Sequence, residues 1–274
     1  MATTTLKTSK TRASPKAHKA PAAKTAAKPA VKPALVPALK PVLKPAVKAA
    51  AKPAVKTAQA VLTISSKNYG AWSLRGWLLA KLAGLSFDEH VISPDDPAMK
   101  AEMLLLSSSM LVPSLQHGMV KVWDTLAIAE YLNEISPKAQ LLPSGIAARA
   151  HCRAICGEMH SGFASMRSSL PMNIKAHFPN FKLWSRAQAD VDRVLEIWTD
   201  CLSTYGGPYL FGKEPTVADA MYAPVVTRFL TYDVALDKTC AGYCTTIMAL
   251  PAMKEWVAAA QLEPDDIDEL EAEF

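Results

Sequence analysis

The chain has 274 residues, and half of them are hydrophobic, which suffices for a packed core and excludes a fully disordered protein. Its net charge of +5 is uneven, because residues 1–58 hold twelve lysines and Arg12 but no acidic residue, leaving −8 on the remainder. Five cysteines without a secretory signal, and no apolar run long enough to span a membrane, predict a cytoplasmic protein with reduced thiols and no membrane partner.

The first 58 residues repeat imperfect Ala-Lys-Pro-Ala-Val units and contain eight prolines. Such frequent proline interrupts helices and strands, and the spaced lysines repel one another, so we predict a disordered, extended arm. Lysines at this spacing neutralise phosphates, which predicts weak, salt-sensitive association with nucleic acid. A purely solubilising arm fits the composition equally well, whereas a targeting peptide fits it less well.

Between residues 60 and 137 the sequence alternates short apolar strand patterns with segments of helical periodicity. We predict strand 61–64, helix 72–82, strand 87–92, helix 97–105, strands 112–115 and 119–123, and a helix over 124–133. This β-α-β-α-β-β-α order predicts an α/β domain of thioredoxin-like type over residues 60–137.

The remainder of the chain predicts an all-α helical domain over residues 143–262, followed by an acidic tail over 263–274. Its helices are predicted at 146–169, 181–204, 217–231 and 251–261. Thr216 precedes the third of these helices and Asp219 follows three positions later, which is the spacing of a capping box. We assign this pair to stability, with a loss of about 1 kcal/mol if one side is removed.

Two short motifs suggest a binding site for an extended anion. Val112 is followed by Pro113, which donates no amide hydrogen and leaves the neighbouring backbone free to pair with a ligand. Asp124 and Thr125 begin a predicted helix, whose N-terminus offers free amides and the positive end of a dipole. Together the two motifs suit a peptide-like ligand that carries a carboxylate.

Cys152, Cys156 and His160 recur every four residues and therefore share one helix face, as Cys240 and Cys244 do if they are helical. Zinc sites of the structural kind need four converging ligands. We therefore interpret these residues as a face of small, half-buried side chains, and we predict no metal site.

Across residues 60–262 the chain resembles the cytosolic glutathione transferases. The resemblance rests on the Val112-Pro113 step, the helix start at 123–132 and the Thr216–Asp219 box, in that order. It implies glutathione as co-substrate, a small electrophile as second substrate and a homodimer. Within the family the chain is most similar to the serine-type, zeta-like bacterial branch.

The resemblance also implies roles for individual residues. Pro113 would follow a cis peptide bond, and the backbone of Val112 would pair with the cysteinyl unit of glutathione. Asp124 and Thr125 would hold its γ-glutamyl end. The serine that activates the thiol in serine-type members falls on Gly70 when counted back from Gly84. The remaining candidates beside that gap are Tyr69 and Ser73, and we favour Ser73.

The electrophile pocket is expected between the domains. Its predicted lining residues are Trp72, Met159, Phe163 and Arg167, and Arg167 would bind an acidic substrate or the glycine of glutathione. Core packing explains Met159 and Phe163 equally well, since they are spaced four apart on a helix.

Three functions follow from these patterns. The favoured one is conjugation of glutathione to small electrophiles. A glutathione-dependent cis-trans isomerase of the maleylacetoacetate type is a subordinate alternative, because the Ser-Ser-Cys opening of that group is absent. The third is a non-catalytic transferase-fold protein tethered to nucleic acid by its basic arm.

Overall fold

A computed structural model of the chain describes residues 60–92 and 112–264. The predicted arm, the predicted helix at 97–105 and the tail beyond residue 264 lie outside the described residues. A four-stranded sheet has the order β2-β1-β3-β4, in which β1 is parallel to β2 and antiparallel to β3, and β3 is antiparallel to β4. The strands are β1 (Ala60–Ile64), β2 (Phe87–Val91), β3 (Ser114–His117) and β4 (Val120–Trp123).

Helices cover the sheet and form the rest of the described chain. They are α1 (Ala71–Leu82), α2 (Thr125–Ile135), α3 (Ile146–Ser161), α4 (Ala164–Ser169), α5 (Ser185–Tyr205), α6 (Val217–Thr231), α7 (Lys238–Ala249) and α8 (Pro251–Gln261). Helix α1 packs against α2 on the sheet and against α6 and α8. This architecture confirms the predicted thioredoxin-like domain followed by a helical domain.

The core explains why these segments fold as they do. In β1 the alternate residues Ala60, Leu62 and Ile64 are buried, which is the period of a half-buried strand. Helix α1 is instead buried on nearly every side, since it lies between the sheet and the helices of the C-terminal domain. No helix among the described residues combines the length and hydropathy that crossing a bilayer requires.

The prediction of a single helix over 146–169 is wrong, because the helix ends at Ser161. Gly162 is extended, and Phe163 has a φ of 58°, so α4 begins in a new direction. Helix α7 was not predicted, although its buried residues Cys240 and Cys244 are the spaced pair noted in the sequence. Other bounds differ by a few residues; for example, β3 begins at Ser114 rather than at residue 112, and α5 begins at Ser185 rather than at residue 181.

The predicted capping box at the start of α6 is confirmed. Asp219 is fully buried and accepts hydrogen bonds from the Thr216 amide at 2.7 Å and the Thr216 hydroxyl at 3.0 Å. It also accepts hydrogen bonds from the Leu210 amide at 3.0 Å and the Tyr243 hydroxyl at 3.2 Å. The carboxylate therefore links α6 to α7 and to the loop before α6, which is more than a helix cap does.

Candidate functional site

The registers of the sheet bring three separate parts of the sequence to one end of it. Ser114 of β3 lies opposite Trp123 of β4 and also opposite Thr63 of β1. When both registers are continued two residues past these pairs, Val112 falls between Ser65 and Thr125. We call Ser65, Val112 and Thr125 the residue row. What the structure itself shows is the pair Ser114 and Trp123, which brings the Val112-Pro113 step and the Asp124-Thr125 helix start to the same end of the sheet.

The Val112-Pro113 peptide bond is cis, as the family resemblance implied. Pro113 is buried beneath α1, where Gly76 faces it. A Cβ atom at Gly76 would lie only 2.5 Å from Cγ of Pro113, so glycine is what lets the helix approach so closely. This contact fixes the start of β3 against α1.

Asp124 is the N-cap of α2 and adopts a φ of 73°. Its Oδ1 accepts hydrogen bonds from the amides of Leu126 at 2.8 Å and Ala127 at 3.3 Å, while Oδ2 lies 3.1 Å from Nε2 of His160. One carboxylate thus joins the helix start to α3. The sequence did not predict this role of His160, which was interpreted only as part of a half-buried helix face.

Thr125 is buried, and its hydroxyl has no hydrogen-bond partner among the described residues. A buried hydroxyl without a partner costs about 1–3 kcal/mol, so such groups usually have a partner in the functional state. The unpaired hydroxyl at a helix N-terminus fits a carboxylate ligand, such as the γ-glutamyl end of glutathione.

Trp72 is the centre of the predicted electrophile pocket. The His160 ring lies 5.1 Å from its ring, and the guanidinium carbons of Arg75 and Arg167 lie 4.3 Å and 5.7 Å from it. The structure therefore brings Trp72 and Arg167 together, and it links them through His160 to Asp124. The other predicted lining residues, Met159 and Phe163, are buried in the hydrophobic core cluster.

Arg75 and Arg167 lie beside this tryptophan, and Arg228 lies close to both of these arginines. Arg75 and Arg228 are buried, and Nη1 of Arg75 and Nε of Arg228 have no partner among the described residues. Burial lowers the pKa of Arg75, and the charges of Arg228 and Arg167 lower it further. Burial likewise lowers the pKa of Arg228 to about 10. Within the described ranges no carboxylate forms an ion pair with any of the three, so the cluster favours an anion.

The candidate thiol activators lie in the loop between β1 and α1 and in the first turn of α1. Ser73 is fully buried, and its hydroxyl oxygen accepts a hydrogen bond from the Ser65 amide at 2.9 Å. The hydroxyl oxygens of Ser65 and Ser73 are 3.0 Å apart. Tyr69 is half-buried in the turn before α1. Gly70 is the N-cap of α1, and no side chain among the described residues caps this helix.

A glutamate from the end of the chain holds this loop in place. Carboxylate oxygens of Glu263 accept hydrogen bonds from the Ser66 hydroxyl at 2.7 Å and from the amides of Lys67 at 2.6 Å and Asn68 at 3.0 Å. Lys175 donates a hydrogen bond to the main-chain carbonyl of the same glutamate. The segment after α8 thus fixes the loop that precedes α1.

Replacing Glu263 with Gln should loosen the loop, because an amide nitrogen replaces one of the two oxygens that accept its hydrogen bonds. We expect the free energy of unfolding to fall by about 1–2 kcal/mol. Hydrogen exchange at the amides of Lys67 and Asn68 should become about tenfold faster. Glu255→Gln is the matched control, since Glu255 forms only an exposed ion pair with Lys81 and should cost under about 0.5 kcal/mol. Equal exchange rates in the two variants would show that Glu263 does not hold the loop.

The cysteines on α3 behave as buried apolar residues. Cys152 and Cys156 are buried, and a hydrogen bond between their thiols, together with burial, raises the pKa of Cys156. Among the described residues, a different trio of potential metal ligands lies close together. One ligand atom each of His151, Asp200 and Cys201 lies within 4.8 Å of the other two.

Two family models match the chain. The model for the N-terminal domain of glutathione S-transferases matches residues 69–135, and the model for the C-terminal domain matches residues 168–259. Together they match more than half of the chain. The first includes α1, the Val112-Pro113 step and the start of α2, while the second includes the Thr216–Asp219 box.

Curated relatives and solved structures agree with this match. Glutathione S-transferase 1 of Dianthus caryophyllus is 26% identical over 163 residues, which cover 59% of this chain and 73% of the relative. Maleylacetoacetate isomerase of Rattus norvegicus is 26% identical over 205 residues, covering 73% of this chain and 92% of the relative. A glutathione transferase homologue from Burkholderia, solved with bound glutathione, shares the fold with a TM-score of 0.57 at 22% identity, over 74% of this chain and 98% of the homologue.

Proposed function

Because the chain belongs to the glutathione S-transferase family, we propose that it is a glutathione transferase that adds the thiolate of glutathione to small electrophiles. The observation that supports this proposal is the pairing of Ser114 with Trp123, because the Val112-Pro113 step precedes the first of these residues and the Asp124-Thr125 helix start follows the second. One motif offers free backbone and the other an unpaired hydroxyl, so a single extended tripeptide satisfies both.

In this proposal glutathione lies along the residue row. The backbone of Val112, held by Pro113, pairs with the cysteinyl unit. Asp124 binds the γ-glutamyl ammonium group, and Thr125 binds the neighbouring carboxylate with its hydroxyl and with the amides of the first turn of α2. These contacts bind glutathione and orient its sulfur toward the N-terminus of α1.

Catalysis then requires a thiolate. A thiol with a pKa of about 8.5 is only a few per cent ionised at neutral pH, so a donated hydrogen bond that lowers this pKa raises the rate. Ser73 and Tyr69 are the candidates that the sequence offers, and the dipole of α1 favours a thiolate at its N-terminus. Bringing the thiolate and the electrophile together in one site supplies the remainder of the acceleration.

The electrophile binds between Trp72 and the helices α3 and α4, with Met159 and Phe163 supporting an apolar wall. Arg167 approaches Trp72 from one side, and the buried charges of Arg75 and Arg228 lie close by. A carboxylate on the electrophile compensates these charges better than a neutral group does. The substrate class that we propose is therefore a small acidic electrophile.

The full-length chain tests the function directly. We expect calorimetric binding of glutathione and steady-state conjugation of chlorodinitrobenzene above the uncatalysed rate. Binding without any rate, toward chlorodinitrobenzene or toward a small acidic electrophile, would support a non-catalytic transferase-fold protein instead. Absence of both binding and rate would show that the proposal is wrong.

Glutathione-dependent cis-trans isomerisation is the second candidate, and the arginine cluster favours it, because the substrates of such isomerases are acidic. The rat relative is named as an isomerase of this kind. Stoichiometry separates the two reactions. With a cis-unsaturated keto acid as substrate, an isomerase returns glutathione unchanged, whereas a transferase consumes one glutathione for each product molecule.

The finer assignments are also part of the proposal. They are membership of the serine-type, zeta-like branch, a cytoplasmic location and a homodimer. The exposed apolar residues Met119, Val120 and Trp123 on the hairpin of β3 and β4 support dimerisation. The basic arm over residues 1–58 is proposed to bind nucleic acid weakly, so retention on DNA should fall with salt and disappear when the arm is removed.

A further inference from the structure

Another hydroxyl group lies beside the position that lacks the expected serine. A Cβ atom at Gly70 would lie 2.6 Å from Oγ of Ser65 and 3.2 Å from Cβ of Ser73, and it would overlap the carbonyl oxygen of Ser66. The fold therefore leaves no room for a side chain at residue 70. The hydroxyl of Ser65 lies in the space where such a side chain would begin.

The hydrogen bonds of Ser65 place its hydroxyl in a defined orientation. The Ser73 oxygen accepts the Ser65 amide at 2.9 Å and lies 3.0 Å from the Ser65 oxygen. Ser73 is fully buried, whereas Ser65 is partly exposed. When the Ser73 hydroxyl donates its hydrogen bond to the Ser65 oxygen, the Ser65 hydroxyl is left to donate to a group outside the loop.

In the proposed function that group is the sulfur of glutathione. Ser65 follows Val112 across the sheet when the register of β1 and β3 is continued, and Val112 is where the cysteinyl unit of glutathione binds in the proposed function. The row orders three contacts from strand to strand, with Thr125 for the γ-glutamyl end, Val112 for the cysteinyl backbone and Ser65 nearest the sulfur.

We propose that Ser65 is a catalytic residue whose hydroxyl donates a hydrogen bond to the glutathione sulfur, and that Ser73 is a positioning residue that orients this hydroxyl. This inference rests on the proposed function. The thiol releases its proton to solvent, the thiolate accepts the hydrogen bond from Ser65, and no bond forms between serine and sulfur. The thiolate then attacks the electrophile.

Replacing Ser65 with Ala tests the inference in the full-length protein. The pKa of bound glutathione, followed by the ultraviolet absorbance of its thiolate, should rise by about one to two pH units, because a hydrogen bond to a charged group is lost. At neutral pH kcat/KM for chlorodinitrobenzene should fall by about tenfold to a hundredfold, and the fall should vanish at high pH. Affinity for S-methylglutathione, which has no thiol, should stay unchanged.

Four further variants make the result specific. Ser65→Thr retains a hydroxyl and should restore most of the rate. Ser203→Ala removes an exposed hydroxyl of α5 and should change nothing. Ser73→Ala should raise the thiol pKa by less than Ser65→Ala does, and the double variant should match Ser65→Ala, because Ser73 acts only through Ser65.

Two failures are distinguishable. A wild-type protein that binds no glutathione would overturn both this inference and the proposed function. A wild-type protein that binds glutathione, with the same thiol pKa in Ser65→Ala, would overturn this inference alone. Additive effects of Ser65→Ala and Ser73→Ala would overturn the positioning role of Ser73.

Discussion

Replacing Asp219 with Ala is expected to lower the free energy of unfolding by about 3–5 kcal/mol, the largest stability effect that we predict for a single side chain. The carboxylate is fully buried and accepts four hydrogen bonds, from two groups of Thr216 and from Leu210 and Tyr243. Alanine leaves all of these donors buried without a partner. Each unsatisfied donor costs about 1–3 kcal/mol before the surrounding structure relaxes.

Asp237→Ala is the matched control for this prediction. Asp237 also caps a helix, but it is exposed and accepts a single hydrogen bond, from the Cys240 amide at 2.7 Å. Its loss should cost about 1 kcal/mol, as is usual for an N-cap. Urea unfolding of both variants at the same pH measures the difference. Similar midpoints would mean that Asp219 contributes no more than an ordinary cap.

Asp219 illustrates which structural features the sequence predicts and which it does not. The capping box is a local pattern, since Thr216 and Asp219 are three residues apart and belong to one helix start. Its partners Leu210 and Tyr243 come from other segments, and no spacing in the sequence pairs them with Asp219. The motif was therefore predictable, whereas the larger effect expected for Asp219→Ala depends on partners that the sequence does not pair with it.

In the candidate site, too, the local patterns were predicted and the contacts between distant segments were not. The cis step at Pro113 and the helix start at Asp124 are local patterns, and both are where the sequence predicts them. The break at Phe163 was missed because helical periodicity continues across it, and only the left-handed backbone of that residue reveals the turn. The gathering of Arg75 and Arg228 depends on the packing of α1 against α6, which periodicity does not report.

At Gly70 the sequence lacks the expected serine, and the structure shows which residue lies beside that position. Counting from Gly84 identifies a missing hydroxyl, and the sequence offers only its neighbours Tyr69 and Ser73 as substitutes. The structure brings Ser65 from the end of β1 to the same space, because the chain folds back over the N-terminus of α1. Ser65 is thus close to Gly70 in space, but it is too far from it in sequence to have been considered as a substitute.

Replacing Asp124 with Asn is expected to weaken glutathione binding by about tenfold to a hundredfold, the largest effect on ligand affinity that we predict. Asn keeps an oxygen that accepts the amides of Leu126 and Ala127, and it tolerates the positive φ of this position. It removes the negative charge that binds the γ-glutamyl ammonium group in the proposed function. A hydrogen bond to a charged group contributes about 1.5–3 kcal/mol, which corresponds to that range of affinity.

Asp124→Ala separates the charge from the helix start. Ala loses both the charge and the cap, and it disfavours positive φ, so it should bind glutathione as weakly as Asn does while losing about 2 kcal/mol more stability. Calorimetric titration with glutathione, and with an analogue that lacks the ammonium group, completes the comparison. The wild-type protein should bind glutathione more tightly than the analogue, by the same factor by which Asp124→Asn weakens glutathione binding. The Asn variant should bind the two ligands equally.

The outcome of that comparison also bears on the electrophile site, because Oδ2 of Asp124 lies 3.1 Å from Nε2 of His160, whose ring packs against Trp72. If Asp124 binds the ammonium group, glutathione and the tryptophan of the electrophile pocket share one connecting histidine. Glutathione should then protect Trp72 from quenching by acrylamide in the wild-type protein, and less so in Asp124→Asn. An Asn variant that still discriminates between the two ligands would place the ammonium group away from Asp124 and would remove this connection.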